Sequence, residues 1–232
     1  MSSTEETPPL AILYHDAWLV AVSKPAGIPV QPDPTGDKDL LTLTRELLKD
    51  PSLELVHRID RPVSGVVLFA CDREALAQMN VLFRERRVEK KYWAIVEGHV
   101  GQKEGAKEGV LLEHVLEHDP KARRARVKEK SGVEPDRTRV RVLSVGDRYA
   151  LLEAVPEGGA FHQIRSQLAV WGHPIKGDVK YGARRGEKDR SIALHARSLH
   201  FQHPMTDITV HIEAPPPAAP PWSALLAKGG LV

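Results

Sequence analysis

The run Val66 to Ala70 (VVLFA) constrains this chain more than any other stretch. Five successive apolar residues of strand length fit a central strand buried on both faces. Just upstream lies the densely charged HRIDR, His57 to Arg61, followed by Pro62 and Ser64-Gly65. That order places Asp60 in a loop beside a buried strand, where rigid support meets solvent access. Arg58 and Arg61 flank the carboxylate and favour its ionised form. An ionised aspartate there serves as a nucleophile or base, with arginines reaching for phosphates, or as an ion pair tying the loop. The residues alone leave both readings open.

Around this strand the chain reads as mixed structure. AILYHDAWLVAVSK predicts strand, turn at His15-Asp16, and strand; Lys24-Pro25-Ala26-Gly27 breaks it, and PDPTGD is a loop. Leu40 to Lys49 predicts a short amphipathic helix with Asp37 or Asp39 as its cap. Asp72 caps a second helix, Arg73 to Arg87, whose Leu76, Met79, Leu82 and Phe83 recur at helical spacing. Tyr92 to Val96 predicts a strand, Val140 to Val145 and Tyr149 to Val155 a pair across Gly146-Asp147, and Phe161 to Trp171 a helix. Residues 101–137, rich in Gly, Glu and Lys, predict an irregular excursion. A closing hairpin turns at Pro204 to Asp207. Residues 1–9 read as a flexible tail, and PPPAAPP opens a Pro-rich C-terminal tail, 215–232. Without regular βαβ alternation, the pattern is that of an α+β domain.

Composition removes several classes. The single cysteine, Cys71, excludes an internal disulfide and fits a reducing, cytoplasmic setting; its apolar context predicts a buried small hydrophobe. No apolar window is long enough to span a membrane, and MSSTEETPPL lacks the features of a signal peptide. There is no GxGxxG, GxxxxGK[ST] or GxSxG, so neither a dinucleotide nor a serine-hydrolase elbow is expected. His114-x3-His118 and His200-x2-His203 lack a third ligand, and no metal is expected.

The formal charge of +2 conceals an asymmetry: residues 1–60 carry −5 and residues 61–232 carry +7. Bases cluster in RERRVEKK (84–91), KARRARVKEK (121–130) and, more weakly, at Arg184, Arg185, Lys188 and Arg190. Such stretches track phosphates or form solvated faces.

Two further candidates carry chemistry. In GGAFHQIRSQL, Gly158-Gly159 lets backbone approach closely, and His162, Gln163, Arg165 and Ser166 form a polar side opposite Ile164 and Leu168. Arg165 is placed to reach across a cleft to a carboxylate. Tyr92, heading an apolar strand, is strand filler or a stacking platform with a polar tip.

The order and spacing of these pieces resemble the RluA-type pseudouridine synthases, which isomerise uridine in ribosomal or transfer RNA. HRIDRPVSG resembles the family's HRLDRxTSG box, KPAG its KPxG box, and KKYWAIVEG its KxYxAxVxG box. HQIRSQLAVWGHPIKGDVKYG and LHARSLHFQHP resemble its two later boxes. The resemblance spans residues 10–214, read as the catalytic domain. It implies a mixed, largely antiparallel central sheet with flanking helices and an RNA cleft across one face. It implies roles for Asp60 as the catalytic aspartate, Tyr92 as the tyrosine stacking on the target base, and Arg165 as the aspartate's basic partner. Arg58 matches the arginine that fills the place of the flipped nucleotide, and His57, Arg61, His162 and Gln163 are the other expected substrate contacts. The reaction needs no cofactor and works on an extruded base. Structured RNA, rRNA or tRNA, is the expected partner of a monomeric enzyme; a non-catalytic RNA-binding or RNA-chaperone relative is the alternative. Three positions depart from the family pattern: Ala160 where an arginine is usual, Val63 for threonine, and Ser166-Gln167 before Leu168. None is Asp60, Tyr92 or Arg165, so activity with altered RNA contacts is expected. The chain begins close to the first box, leaving target recognition to the catalytic domain and its basic stretches at 84–91 and 121–130.

Overall fold

The structure, a computed structural model, describes residues 10–100, 109–128 and 132–231. The tail expected at 1–9 lies outside the described residues. The architecture is α+β, built on one mixed, mostly antiparallel sheet. Its first strands, β1 (Ala11–His15) and β2 (Leu19–Lys24), form the expected hairpin. The Asp16 carboxylate holds the turn by accepting the N–H groups of Trp18 at 2.8 Å and Leu19 at 2.7 Å. The two-residue β3 (Glu54–Leu55) and β4 (Ser64–Ala70) bracket the HRIDR loop.

Every residue of β4 is buried. Val67 and Phe69 enter a core shared with Leu40, Leu168 and Trp222, while Val66, Leu68 and Ala70 enter a second with Met79, Leu82 and Val210. The apolar run is therefore the septum between two cores. The first core takes helices α1 (Leu40–Leu48), α3 (Gln163–Val170) and α4 (Trp222–Gly229), and the second takes α2 (Arg73–Arg84). Asp39 caps α1 through the Thr42 N–H, and Asp72 caps α2 through the Ala75 N–H. Both helices stop short of the expected ends, at a left-handed Lys49 and at Glu85.

The remaining strands are β5 (Glu89–Glu97), β6 (Val110–Asp119), β7 (Arg124–Lys128), β8 (Asp136–Val145), β9 (Tyr149–Pro156), β10 (Leu194–Gln202) and β11 (Thr209–Glu213). The sheet runs β1-β2-β4-β10-β5-β9-β8-β6-β7, with β11 beside β10 and β3 beside β4. Only β4 and β10 pair in parallel among the described strands. They meet where Gly65, at φ +118°, leaves no room: a Cβ there would lie 2.2 Å from the Ala196 carbonyl oxygen. Gly65→Ala is expected to cost about 3 kcal/mol, since both backbone strain and backbone overlap oppose it. Chemical denaturation measures this, and an unchanged midpoint contradicts it.

Two expectations change. The excursion at 101–137 contains a regular hairpin, β6–β7, closed by cross-strand pairs Arg126–Asp119 at 2.7 Å and Lys128–Glu117 at 2.6 Å. The apolar residues of β6 come in runs broken by Glu and His instead of in strict alternation, and β7 (RARVK) is mostly basic, so no strand period stands out. The Pro-rich tail ends in α4, whose Trp222, Leu225 and Leu226 are buried in the first core. Their three- and four-residue spacing is a helical stripe too short to stand out.

Candidate active site

The Asp60 loop is held by two clasps from the chain's first quarter. Lys24, at the end of β2 and only 1% exposed, donates to the carbonyls of Pro25 (3.0 Å), Ile28 (2.8 Å) and Arg61 (3.0 Å). Burial pulls its ammonium down to about 7, against the opposing charge of Asp60. Arg61 donates from Nε to the Gly27 carbonyl at 2.8 Å and from Nη1 to Thr35 Oγ1 at 2.9 Å, and pairs with Asp33 and Asp37. The KPAG and HRIDR boxes thus interlock. Arg61, expected at the substrate, does not line the cleft: its fork is occupied by the 27–37 loop.

Beside this loop, β5 and the start of α3 enclose a cleft of about 280 Å³. Asp60 is the one carboxylate on its described lining. Arg165 Nη1 donates to Asp60 Oδ2 at 2.8 Å, across 105 residues of sequence. The rest of the guanidinium is gripped by the buried Asp178, with Nε to Oδ2 at 2.7 Å and Nη2 to Oδ1 at 2.9 Å. Burial works against that positive charge, but hydrogen bonds and charge from Asp178 and Asp60 outweigh it and raise the Arg165 pKa. Arg165 therefore stays charged and fixed in direction.

His162 stands next to the pair, its Nε2 at 3.4 Å from Asp60 Oδ2 and 3.0 Å from Arg165 Nη1. Burial pulls the imidazole down to about 4, so it is neutral near pH 7. Its backbone is left-handed at φ 52°, a conformation that non-glycine residues hold only when the surroundings enforce it. Tyr92 lines the cleft from β5; burial, then the Asp60 charge, push its phenol up, so it stays protonated. Lys90, two residues earlier, turns inward to the Gly158 carbonyl, and burial pulls it down to about 8. Arg58 is exposed at the cleft. His57 lines the wall, stacked on Phe83 at 5.2 Å and accepting the Leu68 N–H at 3.2 Å.

The helix carrying Arg165 is not two-sided as expected. Gln163 through Leu168 are all buried. Gln163 Nε2 donates to the Arg137 carbonyl at 2.9 Å, and Gln167 Nε2 to the Asp136 carbonyl at 2.7 Å. The polar face is satisfied by backbone groups of β8 instead of water. Gln163 also lines the cleft, with its Nε2 3.0 Å from Thr138 Oγ1. Of the departures, Val63 is 2% exposed and packs in the first core, and Gln167 is saturated by β8 and β6. Ala160 lies on the cleft lining.

Lys24, Lys90, Asp178 and Tyr181 were not singled out by the sequence reading. All four lie inside the quoted boxes, but only tertiary contact gives them a place. The basic stretches are partly self-neutralised: Arg87 pairs with Glu85, Lys91 with Glu89, and Arg126 and Lys128 with acids of β6. Elsewhere, Cys71 is half-buried, and burial pushes its thiol up to about 11. In the paired-histidine motifs, His118 tilts against Phe161, the exposed His200 faces His211, and His203 lies 3.1 Å from Asp16 Oδ2. No helix among the described residues is long and apolar enough to cross a membrane.

Fold and cleft together define an α+β protein with a single-carboxylate site, unlike the two-carboxylate arrangement of ordinary glycosidases. Residues 18–170 match the profile of the RNA pseudouridylate synthase family, and the chain belongs to that family. It is 36% identical over 222 residues to the tRNA pseudouridine synthase C of Haemophilus ducreyi, covering 88% of this chain and 90% of that one. It is 36% identical over 214 residues to the ribosomal large subunit pseudouridine synthase C of Pasteurella multocida, covering 88% of this chain. The chain spans 64–65% of the length of the ribosomal relatives from Pasteurella multocida and Yersinia pestis. Among solved structures, human RNA Pseudouridylate Synthase Domain Containing 1 superposes with a TM-score of 0.74 at 26% identity, covering 94% of this chain and 87% of that one. Human RNA Pseudouridylate Synthase Domain Containing 4 gives 0.72 at 28% identity, with coverage of 94% and 92%.

Proposed function

We propose that this protein isomerises uridine to pseudouridine in ribosomal or transfer RNA. The observation that carries the reading is the lone cleft carboxylate, Asp60, held by a buried and doubly anchored Arg165. The reaction breaks the N1–C1′ bond, turns the uracil, forms a C5–C1′ bond and releases the C5 proton. Asp60 supplies the carboxylate that starts the exchange, acting on the sugar, and Arg165 keeps it aimed. Tyr92 presents a ring for the extruded base; its protonated phenol suits stacking more than proton removal. Apolar walls from Val63, Ile164 and Leu194 keep water from the separated sugar and base. Arg58 stands at the opening, where a flipped nucleotide leaves space. Asp60, Tyr92 and Arg165 come from one chain, which suits an enzyme acting as a monomer; the reading is of a cytoplasmic enzyme without cofactor.

Tritium release from RNA labelled at uridine C5 tests this directly. Release above background by the wild-type protein supports the reading; RNA binding without release means a non-catalytic RNA-binding relative. Binding should also weaken steeply between about 50 and 200 mM salt, as phosphate contacts release counterions. A flat response would remove the basic stretches as contact surfaces.

A further inference from the structure

We propose that Tyr181 is a positioning residue that ties the basic β6–β7 hairpin to the Asp60–Arg165 pair. The proposal rests on the pseudouridine synthase reading and extends it to residues outside the cleft lining.

Tyr181 closes a short 3-10 turn, Val179–Tyr181, directly after Asp178. Its hydroxyl has one partner on each side. The Ala125 N–H of β7 donates to Oη at 2.7 Å, and His162 Nδ1 lies 2.9 Å from the same oxygen. The far nitrogen of His162 faces Asp60 Oδ2 and Arg165 Nη1. The Tyr181 ring also lies under the guanidinium, with Arg165 Cζ 5.1 Å from its centroid. A single phenol thus touches the hairpin backbone, the histidine and the arginine.

The hairpin is tied to this region at two more points. Lys180 Nζ donates to the Arg123 carbonyl at 3.1 Å. His118 of β6 lies 4.3 Å from Phe161, which stacks on His162 at 3.8 Å. The imidazole is therefore held between Phe161 and the Tyr181 hydroxyl, in a backbone conformation that needs enforcement. The hairpin carries Lys121, Arg123 and Arg124 beside the ion-paired Arg126 and Lys128, a basic stretch able to meet phosphates. Any shift of the hairpin on docking RNA moves Ala125, and the hydrogen bond to Oη carries that shift to His162 and the carboxylate.

A phenylalanine would fill the same space, so filling space does not require the hydroxyl. Single-turnover tritium release at saturating RNA is the readout for Tyr181→Phe. The rate is expected to fall about tenfold or more, the scale of a small misplacement of reacting groups. RNA affinity should stay unchanged, and the melting temperature should fall only by what the lost hydrogen bonds from Ala125 and His162 to Oη cost. In a His162→Asn background, Tyr181→Phe should cause no further loss, because the effect passes through the imidazole. A rate equal to wild type, losses that multiply in the double variant, or weaker RNA binding at an unchanged rate would each overturn the proposal. Should Tyr181→Phe fail to fold, ring ¹⁵N shifts of His162 in the wild-type protein decide. A change at Nδ1 on adding RNA supports the coupling, and constancy overturns it. An inactive wild-type protein would instead defeat the functional reading itself.

Discussion

Asp60→Asn is expected to reduce tritium release by about 10⁴-fold or more, the scale of losing a nucleophile or base that others cannot replace. The asparagine keeps the shape but cannot carry the negative charge the exchange needs. Arg165 remains gripped by Asp178 through two hydrogen bonds, so the fold should hold. Asp60 is 29% exposed, and water can repay part of what the guanidinium loses. The variant should therefore melt near the wild type and still bind RNA. Turnover within a few-fold of wild type would show that Asp60 is not the working carboxylate.

Asp178→Asn should add a large loss of stability, although it touches the same guanidinium. Here both partners are buried, with side chains 1% and 6% exposed. Substituting the amide turns one acceptor into a donor aimed at Arg165 and leaves a buried charge half-paired. Breaking such a pair from one side costs about 3–5 kcal/mol. Denaturant titration should show that loss in the midpoint, with the slope unchanged if unfolding stays two-state. Activity should fall as well, because Arg165 loses the anchor that aims it at Asp60. Wild-type stability in this variant would mean that the buried pair is not what holds α3 against the Val179–Tyr181 turn. The two carboxylates on one arginine thus divide, one exposed for chemistry and one buried for support.

Much of this was legible in the sequence. The Val66–Ala70 run marked the septum strand correctly, because seven consecutive buried positions tolerate nothing polar with an unmet hydrogen bond. Asp39 and Asp72 marked helix starts because capping is local chemistry. The residues placed Arg165 to reach a carboxylate across a cleft, and the resemblance of its box named Asp60 as that carboxylate, a contact the structure makes at 2.8 Å. Where the reading failed, the deciding contacts were distant. Arg61 looks like Arg58 in sequence, and only the 27–37 loop folding over it distinguishes a clasp from a cleft residue. Gln163 and Gln167 look like a solvated face until β8 supplies carbonyls to them. The apolar residues of β6 do not alternate, β7 is mostly basic, and α4 is held by three apolar residues, signals too faint for periodicity.

The parallel join of β4 and β10 has a consequence for how the molecule forms. Ser64 and His195 share a hydrogen bond at 2.9 Å while standing 131 residues apart, and the Asp60–Arg165 contact spans 105. Loop closure of that length is paid before any of these contacts repays it. Folding should be slow for the chain's size, in line with its non-local topology. A nascent chain ending before β10 would own every loop residue of the Asp60 box and the β2 pairing of β4, and still lack the strand on its other side. Competence for chemistry would then arrive late, in one step, with the docking of the final third of the chain.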